Sequence, residues 1–146
     1  MRDKLSVDRL NKLHPKVRNT FKNFIEAAET RLNITLRITD GYRSIAQQDE
    51  LYAQGRTKPG KIVTNSKGGQ SYHNYGLAVD LVPMVGNKPD YNYDYEKIKE
   101  IAAEYGIAWG GDFKRLVDKP HFEKTLGYTV SQLSSITKDR YGLPLI

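Results

Sequence analysis

The sequence predicts an α+β fold: a small antiparallel sheet flanked by helices, in a single domain spanning residues 1–146. Three observations point there. Val17, Phe21, Phe24, Ile25, Ala28 and Leu32 recur at helical spacing. The run from Leu77 to Met84 is apolar enough for a strand buried on both faces, interrupted by one carboxylate, Asp80. Helical and strand patterns do not alternate regularly, which argues against a doubly wound parallel sheet. A chain of 146 residues buries roughly two-thirds of its unfolded surface, enough for a core without disulfide or metal staples.

The elements follow in order. Residues 15–32 form an amphipathic helix, with Pro15 in its first turn, where a missing N–H costs nothing. Ile34 to Thr39 alternates in polarity and reads as a strand. Ser44-Ile45-Ala46-Gln47 is a capping-box pattern and Gly55 a stop, so 45–54 is helical. Arg56 to Gln70, rich in Gly, Lys, Ser and Asn, is a long loop or irregular hairpin, the kind of segment that often carries function. Leu77 to Met84 is the buried strand. Tyr95, Ile98, Ile101, Ala102 and Tyr105 mark a second amphipathic helix, ended by Gly106. Ile107–Trp109 and His121–Glu123 are short strands, and the capping box Thr129-Val130-Ser131-Gln132 opens a short C-terminal helix.

Composition narrows the function. There is no cysteine, which excludes disulfides and thiolate metal sites. The start, Met1-Arg2-Asp3-Lys4-Leu5, lacks the apolar stretch of a signal peptide, and no segment is long enough to span a bilayer. The expectation is a protein made in the cytoplasm and not inserted in a membrane. The net charge of +6 suits polyanionic surroundings such as an anionic wall, lipid or nucleic acid. Its Lys and Arg residues are scattered, and no nucleic-acid-binding module is present, so nucleic acid is not the expected partner. Most of the ten tyrosines read as half-buried packing.

The chemistry concentrates in Ser71-Tyr72-His73-Asn74-Tyr75-Gly76-Leu77-Ala78-Val79-Asp80. Strand alternation sends Ala78, Asp80 and Val82 to one face and Leu77, Val79 and Leu81 to the other. A carboxylate in so apolar a strand is costly to bury unpaired; a salt bridge or a metal would compensate. His73 precedes the strand by a turn in which Gly76 permits tight geometry. His121 lies in Asp118-Lys119-Pro120-His121-Phe122-Glu123. Two imidazoles and one carboxylate are a usual ligand set for catalytic zinc, whose fourth position holds a water made acidic by the metal. A carboxylate must then carry the proton. Asp118 is placed for this without being a ligand, and Glu123, on the same strand face as His121, is its rival. His14, just ahead of a helix, is read as a structural cap.

Together these motifs carry a resemblance. Ser-x-His-x-x-Gly-x-Ala-x-Asp at 71–80, Trp109-Gly110-Gly111-Asp112-Phe113 and Asp118-x-Pro-His121-Phe122 resemble the LAS-type zinc peptidases of the M15 family. Gly41-Tyr42-Arg43-Ser44, the stretch from Glu50 to Gly60 and Gly68-Gly69-Gln70-Ser71 are similar to the L-alanyl-D-glutamate endopeptidases of phage endolysins and bacterial cell-wall lytic enzymes. The resemblance runs from about residue 36 to 123 and implies a hedgehog/D-Ala-D-Ala-peptidase-like fold. It implies one zinc ion on His73, Asp80 and His121, with Asp118 as general base and acid. It implies that Arg43 holds a substrate carboxylate or polarises the scissile carbonyl, that Ser71 binds substrate or supports the His73 loop, and that Trp109 packs beside the metal. Phe113 stands where the subgroup often has Trp. The implied activity is hydrolysis of the L-Ala–D-Glu bond of peptidoglycan stem peptides, by a monomer that reaches the wall or periplasm after release or export. A D-Ala-D-Ala carboxypeptidase or dipeptidase and a non-catalytic zinc-containing binding module are the alternatives.

Overall fold

The computed structural model describes all 146 residues. Ten regular elements follow the chain: α1 (Lys4–Asn11), α2 (Pro15–Leu32), β1 (Thr35–Asp40), α3 (Ile45–Ala53), β2 (Ala78–Val85), β3 (Lys88–Pro89), α4 (Tyr95–Glu104), β4 (Ala108–Trp109), β5 (His121–Glu123) and α5 (Val130–Ser134). The five strands make one antiparallel sheet in the order β1-β2-β5-β4, with β3 folding back on the end of β2. This is the α+β architecture that the pattern predicts. Residues 56–70 contain no named helix or strand, as their composition suggests.

One face of the sheet is the core. Leu36, Ile38, Leu77, Val79, Leu81 and Phe122 pack there against Val17, Phe21, Phe24, Ile25 and Ala28 of α2 and Ile98, Ile101 and Ala102 of α4. The Phe24 and Phe122 rings meet at 5.4 Å. Strand alternation then obliges the opposite face of β2 to carry Ala78, Asp80 and Val82. The buried Glu29 on α2 accepts from the backbone N–H groups of Arg2 (3.1 Å) and Leu36 (3.0 Å), which ties the helix to β1 without an ion partner.

Helix α1 has no counterpart in the sequence reading. Only Ser6 and Leu10 are buried in it, so it shows no apolar stripe. Polar links hold it to β1: the Ile38 N–H donates to Ser6 Oγ at 2.8 Å, and Arg37 pairs with Asp3 at 2.9 Å. The expected cap at His14 is present. Its Nδ1 accepts from the Lys16 N–H at 3.1 Å and its Nε2–H donates to the Pro144 carbonyl at 2.8 Å, so both ring nitrogens have structural partners.

Candidate metal centre and catalytic cleft

Asp80 sits at the middle of the sheet, in register with Asp40 on one side and His121 on the other. An irregularity in β1 between Ile38 and Asp40 ends the regular ladder beside it. The 3₁₀ turn Tyr72–Tyr75 delivers His73. Ser71 caps that turn by accepting from the His73 N–H at 3.2 Å, and Asn74 reaches back to the Ser71 N–H at 3.3 Å. Gly76 closes it at φ 70, where an added Cβ would lie 2.7 Å from the His14 nitrogen. The turn is fastened to the segment after β1: the Arg43 N–H donates to the His73 carbonyl at 2.9 Å, and Asn74 Nδ2 donates to the Arg43 carbonyl at 3.0 Å.

Three ligand atoms converge. His73 Nε2 is 3.2 Å and His121 Nδ1 3.4 Å from Asp80 Oδ1. One nitrogen from each imidazole and a carboxylate oxygen all lie within 4.8 Å of one another. The protonation pattern follows from the outer partners. A carbonyl only accepts, so His73 Nδ1 carries the proton it donates to the Gly41 oxygen at 2.8 Å. His121 Nε2 likewise donates to Glu123 Oε1 at 2.7 Å. In the neutral imidazoles the inward nitrogens then present lone pairs to a carboxylate oxygen that is buried and lacks any hydrogen-bond partner. Two imidazole nitrogens and one carboxylate oxygen, aimed inward with their outer atoms fixed, fit a zinc ion.

Without a metal, a proton must moderate this repulsion. Burial pulls the His121 pKa down, but the neighbouring Asp80 and Glu123 carboxylates outweigh it and push it up to about 9. Burial raises the Asp80 carboxyl, and the facing His121 and His73 more than reverse that, holding it well below the usual carboxylate range.

The three residues open into a cleft of about 770 Å³ that Arg43, Ser71, Phe113 and Asp118 also line. All five residues expected to bind metal or move protons or substrate near the 71–80 and 118–121 motifs, together with Arg43, are therefore in one place. The Asp118 turn is braced from behind. Its N–H donates to the Gly110 carbonyl at 3.0 Å, its carbonyl accepts from the His121 N–H at 3.1 Å, and Trp109 Nε1 donates to the Lys119 carbonyl at 2.6 Å. An added Cβ on Gly110 would meet the Asp118 carbonyl oxygen at 2.3 Å. Asp118 is open to solvent on its cleft side, yet the surrounding walls remove part of its water. That loss, reinforced by the charge of Asp80, raises its pKa against the opposing pull of His121, His73 and Arg43. A raised pKa in a carboxylate that holds no ligand position suits a proton carrier.

Some placements differ from expectation. Trp109 lines no part of the cleft; it is buried behind β5 and acts on the site through the Lys119 carbonyl. The aromatic ring beside the ligands is Phe113, 5.6 Å from His121. Glu123 is engaged with His121 rather than free in the cleft. Arg43 is held by Asp40, its Nε 3.0 Å from Oδ2, and by Gln48 Oε1 at 2.8 Å. Asp40, Gln48 and the Gly41 carbonyl were not foreseen. Asp40 lies next to the Gly41-Tyr42-Arg43-Ser44 motif, but a backbone carbonyl leaves no signal in a sequence.

Known proteins share this arrangement of chain. A family model described as D-alanyl-D-alanine carboxypeptidase, of the M15 peptidases, matches residues 64–124, a span that holds His73, Asp80, Asp118 and His121. The peptidoglycan L-alanyl-D-glutamate endopeptidase CwlK of Bacillus subtilis (strain 168) is 44% identical, over 76% of this chain and 72% of that protein. An L-alanyl-D-glutamate peptidase of Listeria phage A118 is 33% identical over 50% of this chain, which covers 29% of the phage protein. Among solved structures, the L-Ala D-Glu endopeptidase ChiX of Serratia marcescens superposes with a TM-score of 0.61 at 27% identity, covering 84% of this chain and 88% of that one. The fold is also that of a vancomycin-resistance D,D-pentapeptidase, VanY, in complex with Zn(II): TM-score 0.57, 19% identity, 76% of this chain and 71% of that one.

Proposed function

Because this chain belongs to the M15 peptidase family, we propose that it is a zinc endopeptidase hydrolysing the L-Ala–D-Glu bond of peptidoglycan stem peptides. Similarity to proteins named for that activity supports the bond. The observation that carries the chemistry is the convergence of His73 Nε2, Asp80 Oδ1 and His121 Nδ1, with Asp118 lining the same cleft.

His73, Asp80 and His121 would hold one zinc ion. When bound, zinc supplies a Lewis acid for the scissile carbonyl and lowers the pKa of water toward neutrality. Asp118 takes the proton of the attacking water and passes it to the departing amine nitrogen. Arg43, steadied by Asp40 and Gln48, offers its guanidinium to a substrate carboxylate or to the charge growing on the carbonyl oxygen. Ser71 Oγ accepts from the His73 N–H, which leaves its hydroxyl proton for substrate. The chain works as a monomer on the peptidoglycan wall. No helix is long and apolar enough to cross a membrane.

Digestion of purified peptidoglycan with the zinc-loaded protein, followed by end-group analysis, tests the proposal. New D-Glu amino termini and L-Ala carboxyl termini are expected. Release of free D-alanine or its dipeptide instead makes the protein a D,D-peptidase. A zinc-loaded protein with no turnover on any wall is a binding module.

A further inference from the structure

The cleft continues past the metal site into a second lobe of about 520 Å³. Asp40, Arg43 and Leu51 line both parts, so the two adjoin along these residues. The floor of the second lobe is one face of α3, where Gln47, Glu50 and Leu51 lie side by side, with Gln54 just past the helix end and Lys58 and Pro59 closing its far side. Its walls carry both signs of charge, with Asp40 and Glu50 against Arg43 and Lys58. Glu50 and Lys58 pair with each other while remaining 69% and 52% exposed. Neither has a part in the metal site or in proton transfer. The mouth of the metal lobe is different: Ile62, Val63, Leu116 and Val117 line it with apolar side chains 56% to 65% exposed.

We propose that the lobe over α3 is a subsite for a zwitterionic residue, one that presents a free ammonium and a free carboxylate together. In a stem peptide this is a diamino acid such as diaminopimelate, joined to the γ-carboxyl of D-glutamate. The inference rests on the L-Ala–D-Glu reading and sets the direction in which substrate lies. The two sides of that bond differ in charge. Acyl-L-alanine is neutral and methyl-bearing, which suits the apolar mouth. The other side begins with the D-glutamate carboxylate and continues into the diamino acid. Arg43 stands on the border of the two lobes, where it meets the first carboxylate, and the next residue then falls over α3. There Glu50 faces the ammonium and Lys58 the carboxylate, exchanging one exposed ion pair for two within a groove. An acylated amine, as in a cross-linked stem, forfeits the Glu50 contact, so uncross-linked stems are preferred.

Exposed pairs are individually weak and the net gain is one pair, so the preference is about twofold to fivefold in kcat/KM. The test uses the zinc-loaded chain and N-acetyl-L-Ala-D-Glu carrying diaminopimelate, lysine, norleucine or nothing on its γ-carboxyl. Diaminopimelate should be best and norleucine close to the peptide that lacks a third residue. Glu50→Gln and Lys58→Met should each erase that difference while leaving the shortest peptide unchanged. The swap Glu50→Lys with Lys58→Glu keeps an ion pair between helix and loop, so a purely structural pair predicts wild-type preference, whereas a subsite predicts its loss. Equal rates for all third residues, or a preference that survives Lys58→Met or the swap, overturn the inference. If no peptide is cleaved, the bond assignment fails. NMR titration with γ-D-glutamyl-diaminopimelate then decides the subsite: shifts at Glu50 and Gln54 that Lys58→Met abolishes support it, and their absence overturns it.

Discussion

Replacing Glu123 separates the two roles a carboxylate near this metal centre can play. Glu123 Oε1 lies 2.7 Å from His121 Nε2, and the two side chains are only 12% and 9% exposed, so water is a poor substitute for the lost acceptor. A hydrogen bond to a charged group contributes about 1.5–3 kcal/mol, against about 0.5–1.5 kcal/mol for a neutral one. Glu123→Gln keeps an acceptor of the same shape and gives up roughly 1 kcal/mol of that difference, somewhat under a tenfold loss of zinc affinity. Glu123→Ala removes the acceptor, frees the imidazole to turn, and should weaken zinc by about 10–100-fold, the usual effect of deleting a partner that orients a metal-bound histidine. Competition against a chromophoric chelator at fixed pH measures both. At saturating zinc each variant should keep most of its turnover, since Asp118 is untouched. Unchanged zinc affinity in Glu123→Ala refutes the positioning argument. Turnover abolished at full zinc occupancy makes Glu123 the proton carrier.

The mirror experiment is Asp118→Asn, which should leave zinc affinity within about threefold of wild type and lower kcat by about 10²–10⁴-fold, the range for a lost general base; retained turnover at full zinc loading removes Asp118 from that role. Gly110→Ala forces a Cβ to within 2.3 Å of the Asp118 carbonyl oxygen and 2.8 Å of His121 Cβ, so the turn must move; a loss of about 1–3 kcal/mol in stability and a matching fall in turnover are expected by thermal melting and peptide assay, and a wild-type melting curve contradicts the packing. In the metal-free protein, His121 binds its proton more tightly when folded, with a pKa raised from 6.5 to about 9. That stabilisation is fully present below about pH 6.5 and is lost as pH rises through 9. Melting under chelator should therefore fall over this window relative to a His121→Asn control, while zinc affinity rises as the competing proton leaves; a flat difference refutes the assignment.

Helices and strands whose stability comes from an apolar stripe were legible to within a residue or so. Helix α2 spans Pro15–Leu32 as its stripe requires, and the capping boxes at Ser44 and Thr129 open α3 and α5. Helix α1 was not legible because Ser6 and Asp3 hold it through hydrogen bonds to a strand some thirty residues away. The residues that cluster at the centre of the site, His73, Asp80 and His121, were legible from side-chain types and motif order. The partners that aim those ligands were not, because a backbone carbonyl has no sequence identity and because Glu123 fits two roles equally well on paper. Only the 2.7 Å contact with His121 Nε2 distinguishes them.

The two imidazoles are not equivalent, and the sheet explains why. Asp80 lies on the central strand, so its neighbours come from opposite constructions. His73 arrives on a capped turn outside the sheet, and a neutral carbonyl, that of Gly41, fixes its ring. His121 arrives on β5 in register with Asp80, and a strand places residues i and i+2 on one face. Glu123 is therefore beside His121 by the geometry of the strand itself. A charged acceptor on Nε2 raises the basicity of Nδ1 more than a carbonyl does, so His121 would be the stronger donor toward the proposed zinc and, without a metal, is the site that takes up the proton. Removing the Gly41 contact is hard to do by substitution, whereas moving Glu123 takes one residue. Under the proposed zinc chemistry, tuning of metal affinity in this chain therefore falls to Glu123, two residues after His121, independently of the proposed proton carrier Asp118 three residues before His121.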